Sequence, residues 1–324
     1  MKILVCGGAG YIGSHMVRHL AAHGHDVVVF DNLSTGHREA VGATALVQGD
    51  LLDPAALQTL FGTYRFDAVM HFCALSLAGV SVTEPYLYYQ NNVVGTLNLL
   101  QAMRVAGVGK LVFSSTAAVF GNPVVDVIDE SHPTHPINPY GASKLMAERI
   151  LSDAAAAYGL RSVILRYFNA AGADPSGEIG ESHEPETHLI PNVLRAALGL
   201  GDSLKVFGDD YATRDGTCIR DYIHVNDLAS AHMRAIQFLI DHEGAHFINL
   251  GGEQGFTVLE VIAAARQVTG AEIAFKLSAR RPGDPASLVA SSAKARELLG
   301  WRPAVTNIRT MIEDAWRWHQ QPRY

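Results

Sequence analysis

Residues 140–144 read YGASK, which puts a tyrosine and a lysine four positions apart behind the proline of HPINPYGASK. On a helix the two side chains share one face, a turn apart. A phenol ordinarily keeps its proton up to about pH 10, and a cation within about 5 Å favours the phenolate. Tyr140 with Lys144 is therefore a candidate base for taking a hydroxyl proton while hydride leaves the same carbon. Such a pair alone more often marks a solvated helix face than chemistry.

Two further patterns, in chain order, change that balance. GGAGYIG gives Gly7-x-x-Gly10-x-x-Gly13 directly after an apolar run, with Tyr11 and Ile12 inside the turn. Glycines let the chain turn tightly and let a pyrophosphate reach the N–H groups and positive dipole end of the following helix. The next apolar run ends in Asp31. An acid about 20 residues on accepts both adenosine ribose hydroxyls and repels a 2′-phosphate, which favours NAD over NADP, tempered by His37 and Arg38 nearby. Asp50, in GDL, is placed either by the adenine or as a turn or capping acid ahead of DPAALQTL. KLVFSST then ends in Ser114, Ser115 and Thr116, where a hydroxyl can bind a substrate alcohol and relay its proton.

Elements must hold these groups together. Near-continuous apolar runs at 2–6, 26–30, 45–49, 67–72, 110–115 and 162–168 read as strands buried on both faces. Helical patterns at 11–23, 54–62, 83–106 and 138–158 separate them, and the alternation predicts a doubly wound parallel α/β sheet. The texture changes after RYFNAAG. Residues 173–188 read as an irregular connection, followed by helices at 189–200, 226–241, 257–268, 291–299 and 306–320 and strands at 204–207, 246–251 and 272–276. This places a nucleotide-binding domain at 1–168, with part of 223–250 a candidate to rejoin it, and a smaller α/β substrate domain at 169–324.

The chain has 324 residues, 48% of them hydrophobic, which supports a sizeable core. A net charge of −7 argues against nucleic acid as the partner. Cys6, Cys73 and Cys218 are scattered and odd in number, so neither a disulfide framework nor a zinc site is read from them. No apolar run approaches the length of a membrane span. The expectation is a soluble cytoplasmic protein with no membrane partner. His15, His19 and His23 recur at helical spacing, and the expectation is a solvated face and no metal.

GGAGYIGSH, DNLSTGH, YYQNNVVGTLNLL, FSSTAAVFG, NPYGASK, LRYFNAAGADPSGEIGE, DGTCIRDYIHVNDLA and RRPGDPASLVA together span nearly the whole chain. On these motifs the chain resembles the extended short-chain dehydrogenase/reductase family, and within it the sugar-nucleotide epimerases. The resemblance implies a Rossmann-type NAD-binding domain with a UDP-sugar domain, and tightly bound NAD. It implies redox-neutral interconversion of UDP-glucose and UDP-galactose through a 4-keto sugar. It makes Tyr140 the base, Thr116 the relay, and Lys144 the group that holds the nicotinamide ribose and lowers the Tyr140 pKa. It assigns Gly7, Gly10, Tyr11, Ile12, Gly13, Asp31, Asn32, Asp50, Leu51, Phe72 and Asn91 to NAD. Asn169, His188, Leu189, Phe207, Arg220, Arg281, Asp284 and Leu288 fall to the UDP-sugar. An ion pair with Asp221 is the plainer reading of Arg220. The resemblance also suggests a homodimer, formed by the faces of 83–106 and 138–158.

Departures from the family pattern carry information. Ser76 stands where many epimerases place a lysine near the nicotinamide. His188 takes a phosphate-facing position. Leu288 stands where enzymes restricted to UDP-glucose and UDP-galactose commonly carry tyrosine, so activity on UDP-GlcNAc and UDP-GalNAc is also expected. Ala117 and Ala118 occupy the places of the acid–base carboxylates of a 4,6-dehydratase, which counts against that rival or a decarboxylase. A non-catalytic NAD-binding module would have little use for Thr116, Tyr140 and Lys144 together.

Overall fold

The computed structural model describes residues 1–200, 203–281 and 284–324. The chain runs β1 (Lys2–Cys6), α1 (Tyr11–Ala22), β2 (Asp26–Asp31), β3 (Ala45–Gln48), α2 (Pro54–Thr63) and β4 (Ala68–His71). Next come α3 (Ala78–Thr83), α4 (Pro85–Tyr88), α5 (Gly95–Ala106), β5 (Lys110–Thr116), α6 (Pro139–Tyr158) and β6 (Arg161–Tyr167). Then follow β7 (Asn169–Ala171), α7 (Leu189–Ala197), β8 (Leu204–Phe207), β9 (Ile219–Arg220), β10 (Tyr222–His224) and α8 (Val225–Asp241). The chain finishes with β11 (Ala245–Leu250), β12 (Phe256–Thr257), α9 (Val258–Thr269), β13 (Phe275–Ser278), β14 (Ser287–Leu288), α10 (Ala293–Leu299) and α11 (Ile308–Gln320).

The main sheet has seven parallel strands in the order β11-β6-β5-β4-β1-β2-β3. Alternate residues of each strand feed opposite cores. Ile3, Val5, Val27, Val29 and Met70 pack with Met16 and Leu20 of α1 and Leu228 and Ile236 of α8. Leu4, Cys6, Val28, Phe30 and Val69 pack with Leu57 of α2, Leu99 of α5 and Ala147 and Leu151 of α6. Burial on both faces is why these runs are apolar throughout rather than alternating. The order reverses between β1 and β4, and in such sheets ligands sit at that switch point, outside the carboxyl ends of the strands.

A third core joins α7, α9 and α11 through residues such as Val193, Leu194, Val261, Ile262, Met311 and Ile312. Small sheets β10-β7, β12-β9-β14 and β13-β8 accompany it. Between these two parts the chain crosses more than once: β7 continues from β6, and β11 returns to pair with β6 in the main sheet.

The single helix expected over 83–106 is broken. Pro85 opens α4, and Tyr89–Val94 form a π-helical turn before α5. Asn92 lies in that turn, where its side chain accepts from Leu75 N at 2.9 Å and donates to Leu75 O at 3.0 Å. Those tertiary bonds hold a turn that a regular hydrophobic period does not reveal. The strand expected at 272–276 lies later, at Phe275–Ser278. The two-residue strands are too short to leave a period at all.

Candidate active site

α6 begins with a built start. The Asn138 side chain accepts from Gly141 N at 2.8 Å and Pro139 occupies the first turn. That fixes Tyr140 one residue inside the helix, and Ser143 Oγ donates to the Tyr140 carbonyl at 2.7 Å. Asn92 of the π turn donates to Ser143 Oγ at 2.9 Å, so the broken helix braces the helix carrying the tyrosine.

The Tyr140 phenol lies beside the side chain of Thr116, the last residue of β5. Thr116 Oγ1 also accepts from Ala118 N at 3.1 Å, which holds its rotamer. Burial raises the Tyr140 pKa, and the neighbouring Thr116 hydroxyl lowers it in part. Lys144 is 3% exposed, donates from Nζ to Ser114 O at 2.9 Å and lies 4.7 Å from the centre of the Phe113 ring. Burial lowers its amine to about 8, against the opposite pull of Cys73 and Glu148. The two residues therefore share a helix face as expected, but Lys144 is held by the strand. One of its three N–H donors is used there, leaving two.

Behind them lies a buried network with no counterpart in the sequence reading. Glu148 Oε1 accepts from Ser115 Oγ at 2.6 Å and Arg166 Nε at 3.0 Å, and Oε2 from Arg166 Nη2 at 2.6 Å. It clamps α6 to the ends of β5 and β6. Ser114 and the Tyr167 hydroxyl also share a hydrogen bond. One signal was available: Glu148 continues the four-residue spacing from Tyr140 through Lys144.

The glycine turn lies at the end of β1. Gly7 has φ +80°, and a Cβ there would stand 2.7 Å from Cys73 N. A Cβ on Gly13 would stand 2.0 Å from Gly7 O, so the helix start packs directly on the turn. Gly10, at the N-cap of α1, has no side-chain cap, and a Cβ there would meet nothing closer than 3.5 Å. This leaves a helix start with no side-chain cap, which fits a dinucleotide diphosphate. Tyr11 turns inward, its hydroxyl donating to Gly172 O at 2.7 Å. Ile12 is part-buried against the core behind α1.

Asp31 ends β2 and accepts from Ala9 N at 2.9 Å and Leu33 N at 2.8 Å. It ties the glycine turn to the second strand while keeping lone pairs for ribose hydroxyls. Asn32 donates to Asp50 at 2.9 Å, and Asp50 also accepts from Leu52 N at 2.8 Å. The cap of α2 is Asp53, so the capping alternative for Asp50 is corrected. Leu51 is buried and its carbonyl accepts from Asn98 at 2.9 Å. Phe72 follows β4 beside Gly7, and Asn91 donates to Asn92 Oδ1 at 2.9 Å. These groups, Thr116 and Lys144 all gather along the carboxyl edge of the main sheet.

The second region meets that edge through β7 and β14. Asn169 donates to Asp221 O at 2.9 Å. Leu288 pairs in register with Arg220 and packs on the cluster of Ala117, Val119 and Phe120 just beyond Thr116. The Arg281 guanidinium lies 4.0 Å from the centre of the Phe207 ring, an apolar face with a cation over it. Leu189 opens α7. Arg220 pairs with Asp284 rather than Asp221, which corrects the plainer reading. Asp221 is buried and accepts from Gly252, Glu253 and Ala290 N–H groups, and burial raises it to about 6 despite them. His188 directs Nδ1 at Glu181 rather than outward; burial opposes its charge, but Glu181 and Glu186 win and lift it to about 9.

The solvated-face reading of the three spaced histidines fails at His15. It is 1% exposed, held by Tyr11 O at 2.8 Å, and burial lowers it to about 4. It lies on a side of α1 shared with Tyr11 and Ser14 and covered by the second region, with Asp174 and His224 nearby.

An uncapped glycine turn at the switch point of a parallel sheet, with Thr116 at the end of β5 and Tyr140 and Lys144 on α6, defines the extended short-chain dehydrogenase/reductase class. More particularly, the chain belongs to the NAD dependent epimerase/dehydratase family, which it matches over residues 3–251. A UDP-glucose 4-epimerase of Halalkalibacterium halodurans is 53% identical over 99% of this chain and 96% of its own length. The crystal structure of UDP-glucose 4-epimerase from Brucella ovis in complex with NAD is 48% identical, covers 97% of each chain and has a TM-score of 0.95. That from Bifidobacterium longum in complex with NAD+ and UDP is 39% identical, covers 99% of each and also has a TM-score of 0.95.

Proposed function

We propose that this protein is a UDP-glucose 4-epimerase with tightly bound NAD. The observation that carries the reading is the Tyr140 phenol beside Thr116, one helical turn from buried Lys144, near the glycine turn. Gly7, Gly10, Tyr11, Ile12 and Gly13 hold the diphosphate, Asp31 and Asn32 the adenosine ribose, Asp50 and Leu51 the adenine side, and Phe72, Asn91 and Lys144 the nicotinamide side. Bound NAD supplies a reversible hydride acceptor at the sugar C4.

The chain's own part is proton handling and grip. Tyr140, as phenolate, takes the proton of the 4-hydroxyl, and Thr116 shortens the relay. Burial raises Tyr140 on its own. The phenolate thus depends on positive charge drawn close, from Lys144 and from the oxidised nicotinamide. Asn169, His188, Leu189, Phe207, Arg220, Arg281 and Asp284 hold the UDP moiety. The 4-keto sugar turns over, takes hydride on its other face and recovers the proton from Tyr140, so the net redox change is zero. Ala117 and Ala118, which follow Thr116, supply no acid or base for eliminating water. Leu288 leaves space beside the sugar, and UDP-GlcNAc and UDP-GalNAc are further substrates.

The protein is a cytoplasmic homodimer in this reading. Val82, Tyr86 and Leu87 around α3 and α4 and Met146 on α6 are exposed apolar side chains suited to an isologous contact. No helix among the described residues is long and apolar enough to cross a membrane.

The test is incubation with UDP-galactose and, separately, UDP-GalNAc, without added NAD. Formation of UDP-glucose from the first supports the reading. No conversion by protein that contains NAD overturns it.

A further inference from the structure

The connection that looked irregular in the sequence carries a cluster of which the proposed reaction uses only His188. Glu181, His183, Glu186 and His188 offer one ligand atom each within 4.8 Å of one another. His183 Nδ1 lies 3.1 Å from Glu181 Oε1 and 3.8 Å from Glu186 Oε2, and His188 Nδ1 lies 3.6 Å from Glu186 Oε1. Ligands at roughly 2.0–2.2 Å from one tetrahedral zinc stand about 3.3–3.6 Å apart; the two His183 separations fall on either side of that range, while His188 Nδ1 and Glu181 Oε1 share a hydrogen bond that an ion would spread.

Charge and support point the same way. The Glu181 and Glu186 side chains are 4% and 3% exposed, and among the described residues neither has a lysine or arginine ion pair. Two buried carboxylates side by side need compensating positive charge. A proton on a histidine supplies one charge, and a dication supplies two. Glu186 Oε1 is already held by Thr187 N at 2.7 Å and His188 N at 2.8 Å, which aims the group and leaves Oε2 free. The Glu181 carbonyl accepts from Trp318 Nε1 at 2.8 Å, and His37 bonds Ser182 O at 3.1 Å. The ligand loop is thus anchored from α11 and from the segment after β2, as a preformed site requires.

We propose that these four residues form a structural binding site for a divalent cation of the zinc class. Two imidazole nitrogens and two carboxylate oxygens suit zinc better than calcium or magnesium, which take all-oxygen shells. Four protein ligands close the coordination sphere, so the ion has no open position for catalysis. Its role is to pin residues 181–188 between α1 and α7. The His183 ring stands edge-on to Tyr11, with centroids 6.3 Å apart, and Leu189 follows the last ligand directly. The site shares His188 with the reaction proposed above, but metal content and cobalt spectra read it without turnover, so failure of one reading is distinct from failure of the other.

The test uses full-length untagged protein purified without chelators. Metal content is measured by plasma mass spectrometry, and cobalt is then exchanged into the site. About one zinc per chain, or stoichiometric uptake from a zinc buffer, is expected, with the intense visible bands of tetrahedral cobalt. His183→Ala and Glu186→Gln should each lose the bands and weaken uptake more than about tenfold. His19→Ala with His23→Ala, a histidine pair elsewhere on the surface, should change neither. Wild-type protein that takes up no metal, shows only weak octahedral bands, or keeps its bands in both ligand variants overturns the proposal. The wild-type measurement decides the matter even if a variant fails to fold.

Discussion

Lys144 Nζ donates to the Ser114 carbonyl at 2.9 Å, so the cation one helical turn from the candidate base is held by the strand ending in Thr116. Sheet and helix are registered to each other at the atom where charge matters. Replacing Tyr140 by Phe removes the proton acceptor and leaves the ring. Turnover of UDP-galactose should fall by about 10²–10⁴-fold while NAD content and the thermal midpoint stay near wild type. Near-normal turnover would show that Tyr140 is not the base.

Lys144 also makes a pH prediction. Its amine is lowered to about 8 in the fold and lies near 10.4 in an unfolded chain. Between those values the unfolded chain binds more protons, so stability rises with pH. Below about pH 8 both states are protonated and the full cost is present. Relative to Lys144→Met, wild-type unfolding free energy should climb across pH 8–10.5 by a few kcal/mol at most, on the order of 1.4 kcal/mol per unit. A flat difference in denaturant titrations across that window would refute the assignment.

Two glycines should behave differently. Gly13→Ala places a Cβ 2.0 Å from Gly7 O, and Gly10→Ala meets nothing closer than 3.5 Å. The first should lower the melting temperature by several degrees, consistent with a core-strain cost of about 1–3 kcal/mol. The second should fold normally yet lose bound NAD on dialysis. Equal NAD retention in Gly10→Ala and wild type would mean that the diphosphate does not pass this turn.

The Glu148–Arg166 pair predicts non-additivity. Its side chains are 2% and 6% exposed. Glu148→Met or Arg166→Met alone strands a buried charge and should cost about 3–5 kcal/mol. The double replacement should cost clearly less than the sum, because no charge is then left unpaired. Additive losses in urea unfolding would mean that the two groups do not act as a unit.

Leu288 offers a specificity test. Leu288→Tyr enlarges the side chain that packs beyond Thr116 on Val119 and Phe120. Turnover of UDP-GalNAc should drop at least tenfold more than that of UDP-galactose. An equal drop for both would place Leu288 away from the 2-substituent.

Legibility followed the range of the forces involved. The glycine turn, Asp31, Thr116 and the Tyr140–Lys144 spacing are local patterns, and strands buried on both faces announce themselves as apolar runs. What stayed hidden depends on partners far along the chain. The Glu148–Arg166 clamp needs β6 beside α6, and burial of His15 needs the second region, with Asp174 and His224, packed over α1. The π turn at Tyr89–Val94 is set by Leu75 and Ser143 through Asn92. The four ligands at 181–188 sit in a stretch without period, where only the alternation of Glu and His was visible.

β11 has a consequence for how the protein is made. The edge of β6 is completed by Ala245–Leu250, a segment synthesised long after Arg161–Tyr167. During translation the first six strands can assemble while Ser162 to Tyr167 present unpaired backbone to the surroundings. An open parallel edge of that kind invites wrong partners. Ribosome-bound chains truncated before residue 245 should therefore be more dependent on chaperones than chains only slightly longer.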